Sequence, residues 1–299
     1  MAISKTIKRE WREWLVFILF AGPNLALFGI FTYYPLLRNF VLALEDVNPF
    51  TGEGPWVGLD NFRDVLGDPF TLKILSNTLV FTVAVVSIIL VLGLMTALLL
   101  NQKLAFRNGV RSLIFSPTVL AGSAVAVVWI YIFDPRFGLF KQVLGFIGLR
   151  SPNWLGDPAW AMAAIIMVYV WKNLGYAAVI YIAGLQAIPA DLYEAARVDG
   201  AGAWARFRNV TVPGLSPVIF FLMVTSILGS FQAFDIIRVM TKGGPVSATN
   251  VLIYRLYELG FTEIQNFSRA SVIATILFVI MFAVTFIQLR VLERRVSYS

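Results

Sequence analysis

The sequence holds no cysteine and no histidine. Without cysteine there is neither a disulfide framework nor a thiolate metal site. Without histidine the usual metal ligand and the usual general base are missing, so catalysis within this chain starts at a disadvantage. Charge is scarce too. Charged residues fill 14% of the 299 positions, where a soluble domain carries about 25%. Hydrophobic residues reach 59% and the mean hydropathy is +0.78, a composition whose natural solvent is a lipid bilayer.

What is present is a set of long apolar runs. A hydrocarbon core about 30 Å thick needs about 20 apolar residues of helix. Six runs meet that length: about Trp14–Tyr34, Leu75–Leu100, Leu113–Phe133, Ala159–Leu185, Val218–Val239 and Val272–Val291. The expected fold is therefore all-α and polytopic, one transmembrane domain over residues 1–299. Pro23 and Pro117 fall inside runs, where other groups must take up the freed carbonyls. The first run follows Lys5, Lys8, Arg9 and Arg12, as a signal peptide would, but it is long and lacks a small-residue cleavage site. There is no internal repeat and no low-complexity linker.

Basic residues in short loops set orientation. The N-terminus, the turn Asn101–Arg111, the segment Gln186–Ser216 and the C-terminal tail together hold thirteen of the 24 basic residues, among them Lys103, Arg294 and Arg295, and six of the 17 acids, among them Glu293. Eleven of each remain elsewhere, so the whole net charge of +7 lies on one side. That side is expected to be cytoplasmic, with both termini in. The basicity is then a topology signal, and nucleic acid is not expected as a partner. Trp11, Trp14, Tyr33, Tyr34, Trp129 and Tyr131 stand at span ends as interfacial anchors.

The most informative loop runs from Ile188 to Pro217, IPADLYEAARVDGAGAWARFRNVTVPGLSP. Pro189 suits the first position of a helix, and Leu192, Ala195, Ala196 and Asp199 follow at helical spacing. Asp199-Gly200 stops that helix, since glycine takes the left-handed conformation a C-cap needs. A second short helix, about Ala203 to Val210, carries Trp204, Phe207 and Arg208 and is expected to end at Pro213. The alanine face admits the backbone of a partner, and Glu194 at its edge can meet a basic group. The plainer alternative is an amphipathic hairpin resting on lipid headgroups.

This loop resembles the EAA loop of binding-protein-dependent ABC importer permeases: Glu-Ala-Ala, three residues, Gly, nine residues, Ile, one residue, Leu-Pro. Here Glu194-Ala195-Ala196, Gly200, Val210 and Val212-Pro213 keep that spacing, with valine replacing Ile and Leu. The resemblance implies that Glu194, Ala195, Ala196, Asp199, Gly200, Ala201, Phe207 and Pro213 couple this chain to separate ATP-binding subunits. No Gly-rich loop ending in Gly-Lys-Ser/Thr occurs here, so ATP and Mg belong to those partners and this chain carries no cofactor. An importer of this kind holds two ATPase subunits and two EAA loops. It implies a second permease subunit (a heterodimer), an extracytoplasmic solute-binding protein, and the inner membrane of a bacterium or archaeon.

The stretches FTYYPLLRNF (Phe31–Phe40), VGLDNFRDVL (Val57–Leu66) and TKGGPVSATNVLIYRLY (Thr241–Tyr257) are similar to the sugar-type permeases related to the maltose system. FQAFD (Phe231–Asp235), the Gly-Gly-Pro segment and LERRVSY (Leu292–Tyr298) look most like the first permease subunit of glycerol-3-phosphate importers. The implied solute is glycerol-3-phosphate, a glycerophosphodiester or a related sugar; an oligosaccharide such as maltose or trehalose is the alternative. Gly243, Gly244 and Pro245 form a turn by composition, and by resemblance this outer loop approaches the solute-binding protein. A bare connecting turn is the competing reading.

Ionisable groups within a bilayer are costly and so mark functional candidates. Lys172 lies mid-span in VWKNLGY and Asp235 in the outer half of the fifth run. Trp171, Lys172, Asn173, Tyr176, Gln232 and Asp235 are the expected lining of a substrate pathway, an aromatic platform beside amides and one cation. On unbroken helices the two charges differ in depth by about 15 Å, too far for a direct pair. The alternative is that Lys172 snorkels and the aromatics only pack between helices. Asn77 and Ser123 are weaker candidates, explained as well by helix–helix hydrogen bonds. A gradient-driven secondary transporter would place several acids in the membrane, and here they cluster in loops. No metal site and no enzyme activity are expected.

Overall fold

The computed structural model describes residues 2–102, 106–262 and 265–292. Lys103 of the basic turn, and Glu293, Arg294 and Arg295 of the tail, lie outside them. Among the described residues the elements are helices joined by loops, with one isolated bridge, Glu45 to Trp56. Five helices among them are long and apolar enough to cross a membrane: Glu13–Leu42, Pro69–Leu100, Pro158–Ala187, Ser216–Met240 and Phe267–Arg290. A bent pair, Arg107–Val119 and Gly122–Ile132, joins at 102°.

Counted as one span, that pair brings the candidate crossings to six. Its start lies where spans two and four end together, since the Arg111 guanidinium donates to the Leu100 carbonyl and Gln186 donates to Asn101. Its end reaches the start of span four, where Phe133 packs on Trp154 at 5.3 Å. It thus covers the same depth as span four.

Local chemistry fixes the span starts. Asp68 and Asp157 each accept a hydrogen bond from the backbone N–H two residues on, at 2.9 Å, and each precedes a proline at the first helical position. Side-chain caps take up N–H groups that have no partner in the helix, and proline there gives up nothing. Asn266 caps span six through the Arg269 N–H. Span four is the centre of the bundle, and small residues let its neighbours approach closely. A Cβ at Gly93 would lie 2.9 Å from the Ala177 Cβ, and one at Gly175 only 2.2 Å from the Ile114 carbonyl oxygen. Phe81, Val85, Ile89, Ile165, Val168 and Tyr181 fill the space between spans two and four.

Spans two and six start earlier than the sequence reading, at Pro69 and Phe267, where Asp68 and Asn266 cap them, and four further boundaries depart from it. Span one continues past Tyr34 to Leu42, because a π turn at Gly29–Tyr33 carries the helix up to Pro35, which has no N–H to donate. Span three is broken at Leu120 and Ala121, both extended. Pro117 lies within its first half, and the Leu113 carbonyl that proline frees is met by the Ser116 hydroxyl at 2.9 Å. Span five stops at Phe231 and restarts at Asp235, so a depth counted along one unbroken helix does not apply to Asp235. The second arm of the hairpin passes through Pro213 to Gly214, since a π turn at Phe207–Thr211 places the proline where no donor is needed.

Candidate functional site

Three regions carry the residues singled out above. The first is the hairpin between spans four and five. Its first arm, Ala190–Val198, ends as expected: Gly200 has φ +78°, its N–H bonds the Arg197 carbonyl, and the Ala201 N–H bonds the Ala196 carbonyl at 2.9 Å. This double closure satisfies carbonyls that a helix end otherwise leaves bare. No residue of Ala190–Val198 is buried, and Glu194, Ala195, Asp199 and Gly200 face solvent. Trp204 and Phe207 stack at 5.4 Å on the second arm, and the Tyr193 hydroxyl meets the Thr211 hydroxyl at 3.0 Å across the two.

The exposed tip contrasts with a tight base. A Cβ on Gly184, near the end of span four, would lie 2.6 Å from Val218 and 2.9 Å from Leu215 at the start of span five. Gly214 sits against Ile188 in the same way, and Leu215 is fully buried. The base thus packs the end of span four directly against the start of span five.

The second region lies within the bundle. Tyr169, Asn173 and Tyr176 follow one another at i, i+4 and i+7 on span four and line a cavity of about 120 Å³. Ile89 from span two and Thr225, Ser226 and Gly229 from span five close it. The structure thus brings Asn173 and Tyr176 together and leaves the other four pathway residues outside this cavity. Tyr169, Thr225 and Ser226 were missed by sequence reasoning, although the i, i+4, i+7 stripe of polar groups was there to be read. Asn173 donates to the Tyr169 carbonyl at 2.8 Å. Trp171 packs edge-on against Trp129 at 5.4 Å, and Gln232 is exposed in the break of span five.

The two intramembrane charges flank the break in span three. The Lys172 ammonium donates to the Thr118 carbonyl at 3.3 Å, and the Thr118 hydroxyl returns a bond of 2.9 Å to the Lys172 carbonyl. The break strips Thr118 of its helical partner, so a cation at this C-terminal end meets both an orphan carbonyl and the negative pole of the helix. Asp235 stands at the opposite pole: a Cβ on Gly122, the first residue of the second half, would lie 3.4 Å from an Asp235 carboxylate oxygen. An anion suits that N-terminal end. Ser123 lies in the same first turn.

The third region is the loop Thr241–Val251, at the end of span five opposite the hairpin. Gly243 has φ +76° and lies against the Tyr254 ring, where a Cβ would approach to 2.8 Å. Asn77 donates to the carbonyls of Ser247 and Asn250, both at 2.9 Å, and Lys73 to that of Val246 at 2.7 Å. Thr249 bridges the Thr241 hydroxyl and the Gly244 carbonyl, each at 2.7 Å. Asn77 is thus a fastener of this loop. Burial, with help from Glu258 and Tyr257 and opposed by Arg238, pushes the Tyr254 phenol above its ordinary value and keeps it neutral. Val246, at the tip, is exposed. Among the described residues no group of three or more acids could hold a metal ion.

Comparison with known proteins adds three findings. Residues 89–298 match the family described as the binding-protein-dependent transport system inner membrane component. The chain is 34% identical over 300 residues to the sn-glycerol-3-phosphate transport system permease protein UgpA of Pectobacterium atrosepticum, covering 100% of both. It is 36% identical to the probable ABC transporter permease protein YurN of Bacillus subtilis, over 91% of this chain and 94% of that one. A chain of a bacterial alginate ABC transporter, solved with an alginate pentasaccharide-bound periplasmic protein, superposes with a TM-score of 0.81 at 22% identity, covering 96% of each chain.

Proposed function

This chain belongs to the inner-membrane components of binding-protein-dependent transport systems and is a permease subunit of an ABC importer; from that premise we propose that it moves glycerol-3-phosphate, or a close polyol phosphate, into the cell by alternating access. The hairpin with its close-packed base is the observation that carries the coupling mechanism. ATP-binding subunits grip the exposed arm around Glu194, Ala195, Ala196, Asp199, Gly200 and Ala201, with Phe207 and Pro213 shaping the second arm. Their closure pulls spans four and five together at Gly184 and Leu215. On this reading the hairpin side is cytoplasmic, and with the bent pair counted as one span both ends of the described chain belong on that side.

Solute passes beside span four. The hydroxyls and amide of Tyr169, Asn173, Tyr176, Thr225 and Ser226 suit a polyol. Lys172 uses one donor on Thr118 and has two more for a phosphate, with Trp171, Gln232 and Asp235 further along the wall. The cavity is smaller than the roughly 300 Å³ of an ordinary ligand pocket, which supports completion by a second permease subunit. So does the first span, whose most apolar window has none of its residues buried within this chain. The loop around Gly243, Gly244 and Pro245 receives the solute-binding protein, its fixed backbone and exposed Val246 making a firm contact point. The name carried by the relative in Pectobacterium atrosepticum supports the choice of solute.

The test is Glu194→Lys in the assembled importer. Membrane insertion is expected to persist while solute-stimulated ATP hydrolysis and uptake are lost together. Normal uptake by that variant would sink the coupling role. Competition of uptake by glycerol-3-phosphate against maltose separates the two solute classes.

A further inference from the structure

The connection between spans three and four contains a surface helix, Leu139–Phe146, that neither the hairpin nor the transport pathway uses. It lies at the end of the bundle opposite the hairpin, since it joins Ile132 to Pro158. Two faces of it are accounted for. Phe140 packs into an aromatic cluster, 5.1 Å from Phe133 and 5.3 Å from Trp154, which ties the helix to the ends of both spans. Lys141 and Gln142 donate back to the carbonyls of Arg136 and Phe137.

The third face is apolar and bare. Leu139, Val143 and Phe146 fall at i, i+4 and i+7, with Val143 55% and Phe146 93% exposed, and Ile147 and Leu149 extend the patch. Water is a poor neighbour for five such side chains together. The segment 135–156 also holds Arg136, Lys141 and Arg150 and no acid, the nearest being Asp134 and Asp157 at its two ends. Trp154 and Trp160 meet edge to face beside the helix at 5.3 Å, the residue type that collects at headgroup depth.

A short amphipathic helix at span-end depth, apolar outward, rimmed by cations and tryptophans, has the properties of a monotopic membrane helix. We propose that Leu139–Phe146 is a lipid-seated foot: Leu139, Val143 and Phe146 lie among acyl chains of the leaflet opposite the hairpin, and Arg136, Lys141 and Arg150 meet phospholipid phosphates. The charge complementarity favours lipid over a docking protein, which would leave three cations facing an apolar contact.

The absence of cysteine makes the test clean. Val143→Cys, Phe146→Cys and, as the control turned away from the apolar face, Gly145→Cys, where a Cβ meets nothing within 4 Å, are nitroxide-labelled in the complete importer and reconstituted into phosphatidylcholine vesicles with and without phosphatidylglycerol. Collision with oxygen and with a water-soluble nickel chelate is then measured. The ratio of oxygen to nickel collisions is expected to be several-fold higher at 143 and 146 than at 145. Phosphatidylglycerol should raise it further, and much less in Arg136→Gln/Lys141→Gln/Arg150→Gln. Equal ratios at the three sites would show a helix in water and overturn the proposal. Low collision rates with both reagents at 143 and 146 would show a protein cover and overturn it equally. A phosphatidylglycerol response unchanged in the triple variant would remove the phosphate contact.

Discussion

Two glycines show how differently the same residue type can be used. Gly200 stands in open space, and only its φ of +78° restricts it. Gly200→Val therefore costs about 1–2 kcal/mol, the strain of a branched side chain in the left-handed region. The cost falls on the hairpin tip, so ATPase attachment should weaken while thermal unfolding of the bundle stays put. Gly175 has ordinary helical geometry and no room. An alanine methyl would meet the Ile114 carbonyl at 2.2 Å and the Phe115 Cα at 2.7 Å, backbone that cannot swing aside. Gly175→Ala should lower stability by about 1–3 kcal/mol, read as an earlier melting temperature in detergent. Gly200 is legible in the sequence, because Asp-Gly after an amphipathic stretch signals a helix end. Gly175 is not, because its partner lies sixty residues away. Lys172 lies between these cases. Its charge is conspicuous in an apolar run, but the carbonyl that holds it exists only once span three breaks. Lys172→Met should cost about 1–3 kcal/mol from the stranded Thr118 carbonyl. Lys172→Gln separates the roles in uptake assays: equal affinity for phosphorylated and neutral solutes would take Lys172 out of the pathway.

Helices were readable in number and poorly readable in continuity. Apolar composition records how much chain lies in lipid and carries no mark where the backbone turns. Hence Leu120-Ala121 and Gln232–Phe234 read as span interior, although both are breaks. The Asp-Pro pairs at 68–69 and 157–158 are local capping chemistry that the apolar runs pass over, which is why span two read as starting at Leu75 and starts at Pro69. The hairpin was legible in its first arm because its stop at Asp199-Gly200 is equally local. Its second arm was misjudged at Pro213 because a π turn shifts the donor that the proline would have blocked. At this scale the base of the hairpin is the part to disturb. Gly184→Val would wedge spans four and five apart at Val218 and Leu215. Insertion should survive, and the stimulation of ATP hydrolysis by loaded binding protein should fall several-fold; unchanged stimulation would refute the stiff base.

For the whole molecule, the distribution of burial is the guide. The bundle around spans two and four has a continuous core, whereas the most apolar window of the first span has no residue buried within this chain. A subunit of this shape should be markedly less stable alone than beside its second permease subunit. Purifying it with and without co-expressed partners and comparing melting temperatures checks this. Removing residues 190–209 should leave the bundle inserted but release the ATPase subunits; a fully active deletion would refute the coupling route.

The bent third span has a mechanical consequence. Its first half rides on span four and its second half is seated on the far segment of span five, the two helices that converge on the hairpin. The broken end of the first half is bonded by the Lys172 ammonium, and that of the second lies against the Asp235 side chain. When the carriers slide past each other, the mismatch falls on two breaks, Leu120-Ala121 in span three and Gln232–Phe234 in span five. Together these two breaks should turn one stroke at the hairpin into unequal travel on the two sides of the membrane.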